Sequence, residues 1–192
     1  MKLYLSVIGA AMSIICALNI AFQTAPPHYV IIATVWCTAL QFALDGFLAI
    51  VIKKLPDGWF GVENPLYNVS ERERALYKAL KVRRWKDKVW ELGGLGGFSK
   101  RALQEPDNAC YIEKFIIECN KGVLIHRLSY FIGFLAMLTL TGRCVFTVAL
   151  PVAVVNLFLN VLPTLALRYN TPMLKALLKR LRRKEAKEQV AS

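Results

Sequence analysis

The stretch Tyr111 to Ser129, YIEKFIIECNKGVLIHRLS, carries His126 into the mouth of an apolar run, together with Glu113, Glu118 and Lys121. Ionisable groups at that depth are expensive to keep, so they are functional candidates first. A neutral imidazole near pH 7 can take the proton of a hydroxyl as an acyl group arrives and return it to a leaving group. In that scheme His126 is the general base, and Glu118 or Glu113 is the carboxylate that orients it. On one unbroken helix the separation of Glu118 and His126 is about 12 Å along the axis, too far for contact. A direct pair needs a break, and Gly122 is where the chain could supply one. Plainer roles stand beside these: His126 as a satisfied interfacial histidine, and Lys114 with Glu118 as a helix-surface pair. Ser129 shares the His126 face, where a hydroxyl in a membrane helix usually bonds its own backbone.

Other polar groups fall inside apolar runs. Asn156 and Asn160 lie four residues apart, hence on one helical face, with Pro151 and Pro163 expected to bend their helix. Buried amides serve as helix-packing glue or as substrate contacts, and the sequence leaves both open. Asp45 is costlier; it either pairs with a polar neighbour such as one of these asparagines or is kept protonated. Arg168, Tyr169, Asn170 and Pro172 are expected to end the last apolar run with a cationic fork suited to a phosphate or carboxylate. His28, in a PPH turn without ionisable neighbours, reads as structural. The five cysteines form no CxxC pair, and three sit in apolar runs, so neither zinc nor a disulfide framework is indicated. An acyl-thioester role for Cys110 or Cys119 is conceivable beside the preferred structural one.

The elements that must position these groups follow from composition. The 192 residues are 56% hydrophobic yet carry a net charge of +12, and the mean hydropathy is +0.41. A soluble domain rarely combines the two, so apolar and basic residues must be segregated along the chain. Residues 3–22, 29–52, 123–141 and 144–167 are each close to the roughly 20 residues that cross a bilayer core as a helix. Lys and Arg concentrate in 53–121 and 168–187 and are missing from 23–28, so the positive-inside rule puts both basic regions and both termini in the cytoplasm. Cleavage of the first span as a signal peptide would export the basic central region, against that rule.

Residues 53–122 are too aromatic and apolar for a solvated linker, and Trp and Tyr beside Lys and Arg mark the headgroup zone. Glu71 to Trp90 reads as one amphipathic helix lying on the inner leaflet, with Leu76, Leu80 and Val82 to Trp85 near one face. Leu92 to Phe98, LGGLGGF, fits a flexible loop better than a phosphate cradle, because no strand precedes it and it matches no nucleotide fingerprint. Asn108 or Asp107 can cap a helix starting near Ala109. Residues 172–187 read as a second basic amphipathic helix anchored on anionic headgroups. The fold expected is an all-α integral membrane protein, a single membrane domain over 1–192 with four transmembrane helices plus cytoplasmic interfacial amphipathic helices. No RNA-stacking platform or recognition helix accompanies the charge, so nucleic acid is not an expected partner.

The chain resembles the small membrane acyltransferases that act on glycosyl-4,4'-diaponeurosporenoate in staphyloxanthin carotenoid biosynthesis. The resemblance runs in order through Val82-Arg-Arg-Trp-Lys86 with Lys88, Ile112-Glu-Lys with Ile116-Ile-Glu118, Leu124-Ile-His126 with Ser129, and Asn160, Arg168-Tyr-Asn170, Pro172 and Leu174. No single block is specific; their shared order and spacing carry the likeness. The first 70 residues depart from the family pattern, with two clear spans where the family has a shorter, less apolar part, and the glycine loop differs too. The resemblance implies transfer of a fatty acyl chain, from a coenzyme A or acyl carrier protein thioester, to a hydroxyl of a membrane glycolipid. It implies no cofactor beyond the donor. His126, Glu118 and Glu113 are then the catalytic candidates, and Lys121, Asn160, Arg168, Lys88, Trp85 and Asn156 the substrate-binding ones. Lys121 or Arg168 would hold the anionic part of the donor. The HxxxxD pattern of glycerolipid acyltransferases is absent, since Phe131 stands where its aspartate belongs. Two other classes remain open: a lipid-binding scaffold in which the polar membrane residues only pack the bundle, and a small membrane methyltransferase with its cofactor at the glycine loop.

Overall fold

The computed structural model describes residues 2–89 and 103–191. Among them every regular element is helical: α1 Lys2–Ala21, α2 Pro27–Lys53, α3 Glu71–Ala79, α4 Val82–Trp85, α5 Ala109–Ile132 and α6 Leu150–Ala191, with short 3-10 and π segments between. Four stretches, Tyr4–Ala21, Pro27–Lys53, Ala109–Thr139 and Val145–Val190, are long and apolar enough to cross a membrane. This is an all-α membrane protein. The chain divides into two compact units, one of Met1–Ile52 with Ile125–Val161 and one of Lys53–Leu124 with Leu162–Ser192.

The first unit buries Ile15, Val30, Ala33, Cys37, Ala136, Cys144, Val148, Ala149 and Val152. Small residues dominate that set because helices in lipid associate by close packing rather than by a hydrophobic drive. Large apolar side chains such as Phe47, Phe131, Leu138, Phe146 and Phe158 point outward, as a lipid solvent permits. The third and fourth spans are not regular throughout: Gly133–Thr139 is 3-10 and Val145–Ala149 is π. Such turns leave carbonyls outside the α ladder, and in lipid each needs a partner. Two amides supply them. Gln41 Nε2 donates to the Gly133 carbonyl at 3.3 Å, and Asn19 Nδ2 donates to the Thr147 carbonyl at 2.8 Å.

The second unit has its own core, in which Val62, Ile112, Phe115, Ile116, Cys119 and Val123 pack with Leu167, Leu174, Leu178 and Leu181. After α2 the chain turns through the 3-10 segment Asp57–Phe60. Asn108 caps α5, its Oδ1 accepting from the Tyr111 amide at 3.1 Å, and Ser70 caps α3 by accepting from the Glu73 amide at 3.2 Å.

Three expectations are corrected. The amphipathic helix drawn from Glu71 to Trp90 is broken: α3 stops at Ala79, Lys81 adopts the left-handed region at φ 50, and α4 and a 3-10 turn, Lys86–Lys88, follow. Leu76 and Leu80 are exposed, while Tyr77 and Val82 take the buried positions. Gly122 does not break α5, which is continuous from Ala109 to Ile132. The last span and the basic tail are not separate helices either; α6 runs 42 residues with Pro163 and Pro172 inside it, so Arg168 to Pro172 end nothing. Each proline removes one ladder bond, a loss membrane helices tolerate where neighbouring groups re-satisfy the carbonyl. The glycine-rich stretch Leu92 to Phe98, with Lys100 and Arg101, lies outside the described residues.

Candidate functional site

In the first unit α2, α5 and α6 bring five polar side chains together: Asp45, His126, Ser129, Asn156 and Asn160. Asn160 is at the centre and is buried. Its Nδ2 donates to Asp45 Oδ2 at 3.4 Å, and to the Asn156 carbonyl and Asn156 Oδ1 at 3.1 Å each. The amide nitrogen therefore faces acceptors, and the amide oxygen is left for His126, whose Nδ1 lies 2.7 Å from Asn160 Oδ1. A carbonyl oxygen only accepts, so Nδ1 carries a proton, and in the neutral imidazole the lone pair is then on Nε2. This is the tautomer a general base requires, oriented by an amide instead of a carboxylate.

The helices that make this cluster fit unusually close. A Cβ on Gly133, just past the end of α5, would lie 2.8 Å from Asn156 Nδ2, so a side chain there would have to push that amide aside. Asn156 Nδ2 also reaches the Ser129 carbonyl at 3.5 Å. Asp45 Oδ1 and Ser129 Oγ are buried and make no hydrogen bond with any described residue. Gln41 is one turn before Asp45 on α2 and is fixed by Gly133, which sets the face that α2 presents.

The remaining candidates lie in the second unit, most of them held there by other side chains of that unit. Glu113 bonds Arg182 at 2.8 Å. Glu118 lies 3.8 Å from Lys121, and Lys121 donates to Asp57 at 2.5 Å while sitting over the Phe60 ring. With α5 unbroken, Glu118 and His126 stay about 12 Å apart along the axis, so Asn160 holds the place proposed for a glutamate. Trp85 is half-buried and donates from Nε1 to the Leu80 carbonyl at 3.0 Å; Lys88 is exposed.

Arg168 does not present an open fork. Its Nε and Nη2 grip both carboxylate oxygens of Glu73, the Nη2 contact at 2.6 Å, and Nη2 also donates to the Asn68 carbonyl at 2.9 Å. The Tyr77 hydroxyl donates to Glu73, and Tyr77 stacks edge-on against Tyr169 with centroids 6.2 Å apart. Burial pushes the Glu73 carboxyl up, but the hydrogen bonds from Arg168 and Tyr77 and the Arg168 charge outweigh it and hold the group below its ordinary value. Burial, followed by the bond to Glu73, drives the Tyr77 phenol well above its ordinary value.

Sequence reasoning placed Asp45 beside the asparagines and missed Glu73, Gln41 and Asn19. The signal for Glu73 is a carboxylate one turn before Tyr77, on the same face of its helix; for the two amides it is a polar side chain inside an apolar span.

A family model described as glycosyl-4,4'-diaponeurosporenoate acyltransferase matches residues 56–180. No curated protein and no solved structure matches the chain.

Proposed function

Because the chain belongs to the glycosyl-4,4'-diaponeurosporenoate acyltransferase family, a family of acyltransferases in carotenoid biosynthesis, we propose that it moves a fatty acyl group from a thioester to a hydroxyl of a membrane glycolipid, with His126 as general base. The observation that carries this reading is the 2.7 Å contact of His126 Nδ1 with Asn160 Oδ1. It leaves the Nε2 lone pair to accept the proton of the acceptor hydroxyl. The hydroxyl oxygen then attacks the thioester carbonyl, the tetrahedral intermediate collapses with cleavage of the C–S bond, and the imidazolium returns its proton to the departing thiolate. An ester and a free thiol result, with no redox step and no cofactor beyond the donor, acyl-coenzyme A or acyl carrier protein.

Lys88, exposed and outside any buried ion pair, is the group we assign to the anionic part of the donor, with the Trp85 ring as an apolar donor contact. Arg168 and Lys121 already hold carboxylate partners, so a donor anion reaches them only by displacing Glu73 or Asp57. We place the protein in the cell membrane as a multi-pass chain with both termini cytoplasmic, supported by the concentration of Lys and Arg in 53–121 and 168–187. Basic side chains of those regions would also rest on anionic lipid headgroups.

The test is mass spectrometry of lipids from cells expressing the protein or its His126→Ala variant at matched membrane abundance. The reading expects a glycolipid heavier by one acyl chain that disappears with His126. Identical lipid profiles would remove His126 from the mechanism and favour a scaffold whose Asn156, Asn160 and Asp45 only pack the bundle.

A further inference from the structure

The matched residues begin at position 56, so α2 and Asp45 lie outside the stretch that carries the family identity. Yet α2 delivers a carboxylate to the amide that orients His126. An aspartate inside an apolar span is costly to keep. Helix packing alone would be served by an amide such as Gln41, one turn away on the same face. What a carboxylate adds is that it only accepts hydrogen bonds when ionised, so the side of Asn160 that faces it must be the NH2 side. Asp45 Oδ2 receives Asn160 Nδ2 at 3.4 Å, and Ser129, Asn160 and Asn156 surround the carboxyl. The Asn160 oxygen is thereby turned to His126 Nδ1 at 2.7 Å.

We propose that Asp45 is a positioning residue of the transfer reaction: through Asn160 it fixes the His126 tautomer that leaves Nε2 basic, making the second N-terminal span part of the catalytic apparatus. The inference rests on His126 being the base. Without Asp45 the Asn160 NH2 keeps only its Asn156 acceptors, the carbonyl and Oδ1 at 3.1 Å each, and a half-turn of the amide that presents NH2 to His126 becomes less costly. The imidazole would then have to accept at Nδ1 and carry its proton on Nε2, the wrong nitrogen for catalysis.

The chain has two histidines, so a His28→Gln background leaves one imidazole to observe. The experiment is nitrogen-15 NMR of histidine-labelled protein in micelles, with acyl-transfer kinetics on the same samples, for the background, Asp45→Ala, Asp45→Asn and His126→Ala. The background is expected to show a protonated Nδ1 and an unprotonated Nε2. Asp45→Ala is expected to mix or invert the tautomers and lower kcat by about 10- to 100-fold, the usual effect of losing an outer-shell orienting partner, with KM little changed. Asp45→Asn, whose amide can present either its oxygen or its NH2 to Asn160, is expected to restore the tautomer and kcat only in part. An alanine variant with the background tautomer overturns the proposal, whether kcat falls or not. If the alanine variant does not fold, Asp45→Ser, too short to reach Asn160, decides by the same readouts. Full activity in His126→Ala would instead refute the base assignment, and the tautomer measurement would stand separately from it.

Discussion

Removing the carboxylate of Glu73 should be among the most damaging single changes to this protein. The Arg168 side chain is 5% exposed, and its Nη1 already has no hydrogen-bond partner among the described residues. Glu73 accepts from both Nε and Nη2; once it is gone, the guanidinium keeps its bond to the Asn68 carbonyl. Breaking a buried pair by removing one partner leaves an uncompensated charge and typically costs about 3–5 kcal/mol. Glu73→Ala should fall in that range, and Tyr77→Phe, which removes one hydrogen bond to the same carboxylate, should cost about 1 kcal/mol. Replacing both partners, Glu73→Met with Arg168→Met, removes charge and desolvation together and should come within about 1 kcal/mol of the parent. The assay is unfolding free energy in mixed micelles for Glu73→Ala and Tyr77→Phe, and for Glu73→Met, Arg168→Met and their double, which close a mutant cycle. A Glu73→Ala cost below about 1 kcal/mol would refute the reasoning, because it would mean that the pair is solvated and not buried. The same double variant separates two roles for Arg168: it should retain acyl transfer if the arginine is structural, and lose it with stability restored if the arginine touches the donor.

Further outcomes follow from the same geometry. The folded-state pKa of Glu73 is lowered, so its stabilising contribution is complete above the ordinary carboxylate value and is lost as pH falls through the folded one; acid titration of thermal stability should show this loss, and Glu73→Gln should flatten it. Asn19→Leu and Gln41→Leu each strand a carbonyl of an irregular turn in lipid and should cost about 1 kcal/mol apiece, measured by unfolding in micelles. Gly133→Ala should displace the Asn156 amide, which ends in a movable group, so stability should change by less than about 1 kcal/mol while kcat falls through loss of support for Asn160.

The spans were legible because their signal is additive: some 20 apolar residues cannot be read as anything else. The Asn108 cap was legible because it is local. The break at Lys81 was not, since a lysine gives no warning of left-handed backbone and the helical periodicity runs straight through it. Continuity of α6 through Pro172 was hidden for the opposite reason, a strong local stop signal overridden by packing of Leu174, Leu178 and Leu181 in the core. In the site, Asn156 and Asn160 were found as one face, and Asp45 as a costly neighbour. The expectation that a glutamate orients His126 relied on sequence proximity, whereas the partner found comes from another helix, 34 residues away. Glu73 meets Arg168 across 95 residues, a pairing no local pattern encodes.

The central claim is that His126 activates a hydroxyl for attack on a thioester. The most direct measurement is single-turnover transfer by the purified protein in nanodiscs, with an acyl-coenzyme A donor and a glycosylated membrane acceptor, following free thiol and acylated acceptor together. The account predicts that the two appear in equal amounts with the parent protein and that both fall by at least about 100-fold in His126→Ala, as loss of a general base requires. Transfer at the parent rate in His126→Ala, with the fold intact, would contradict it.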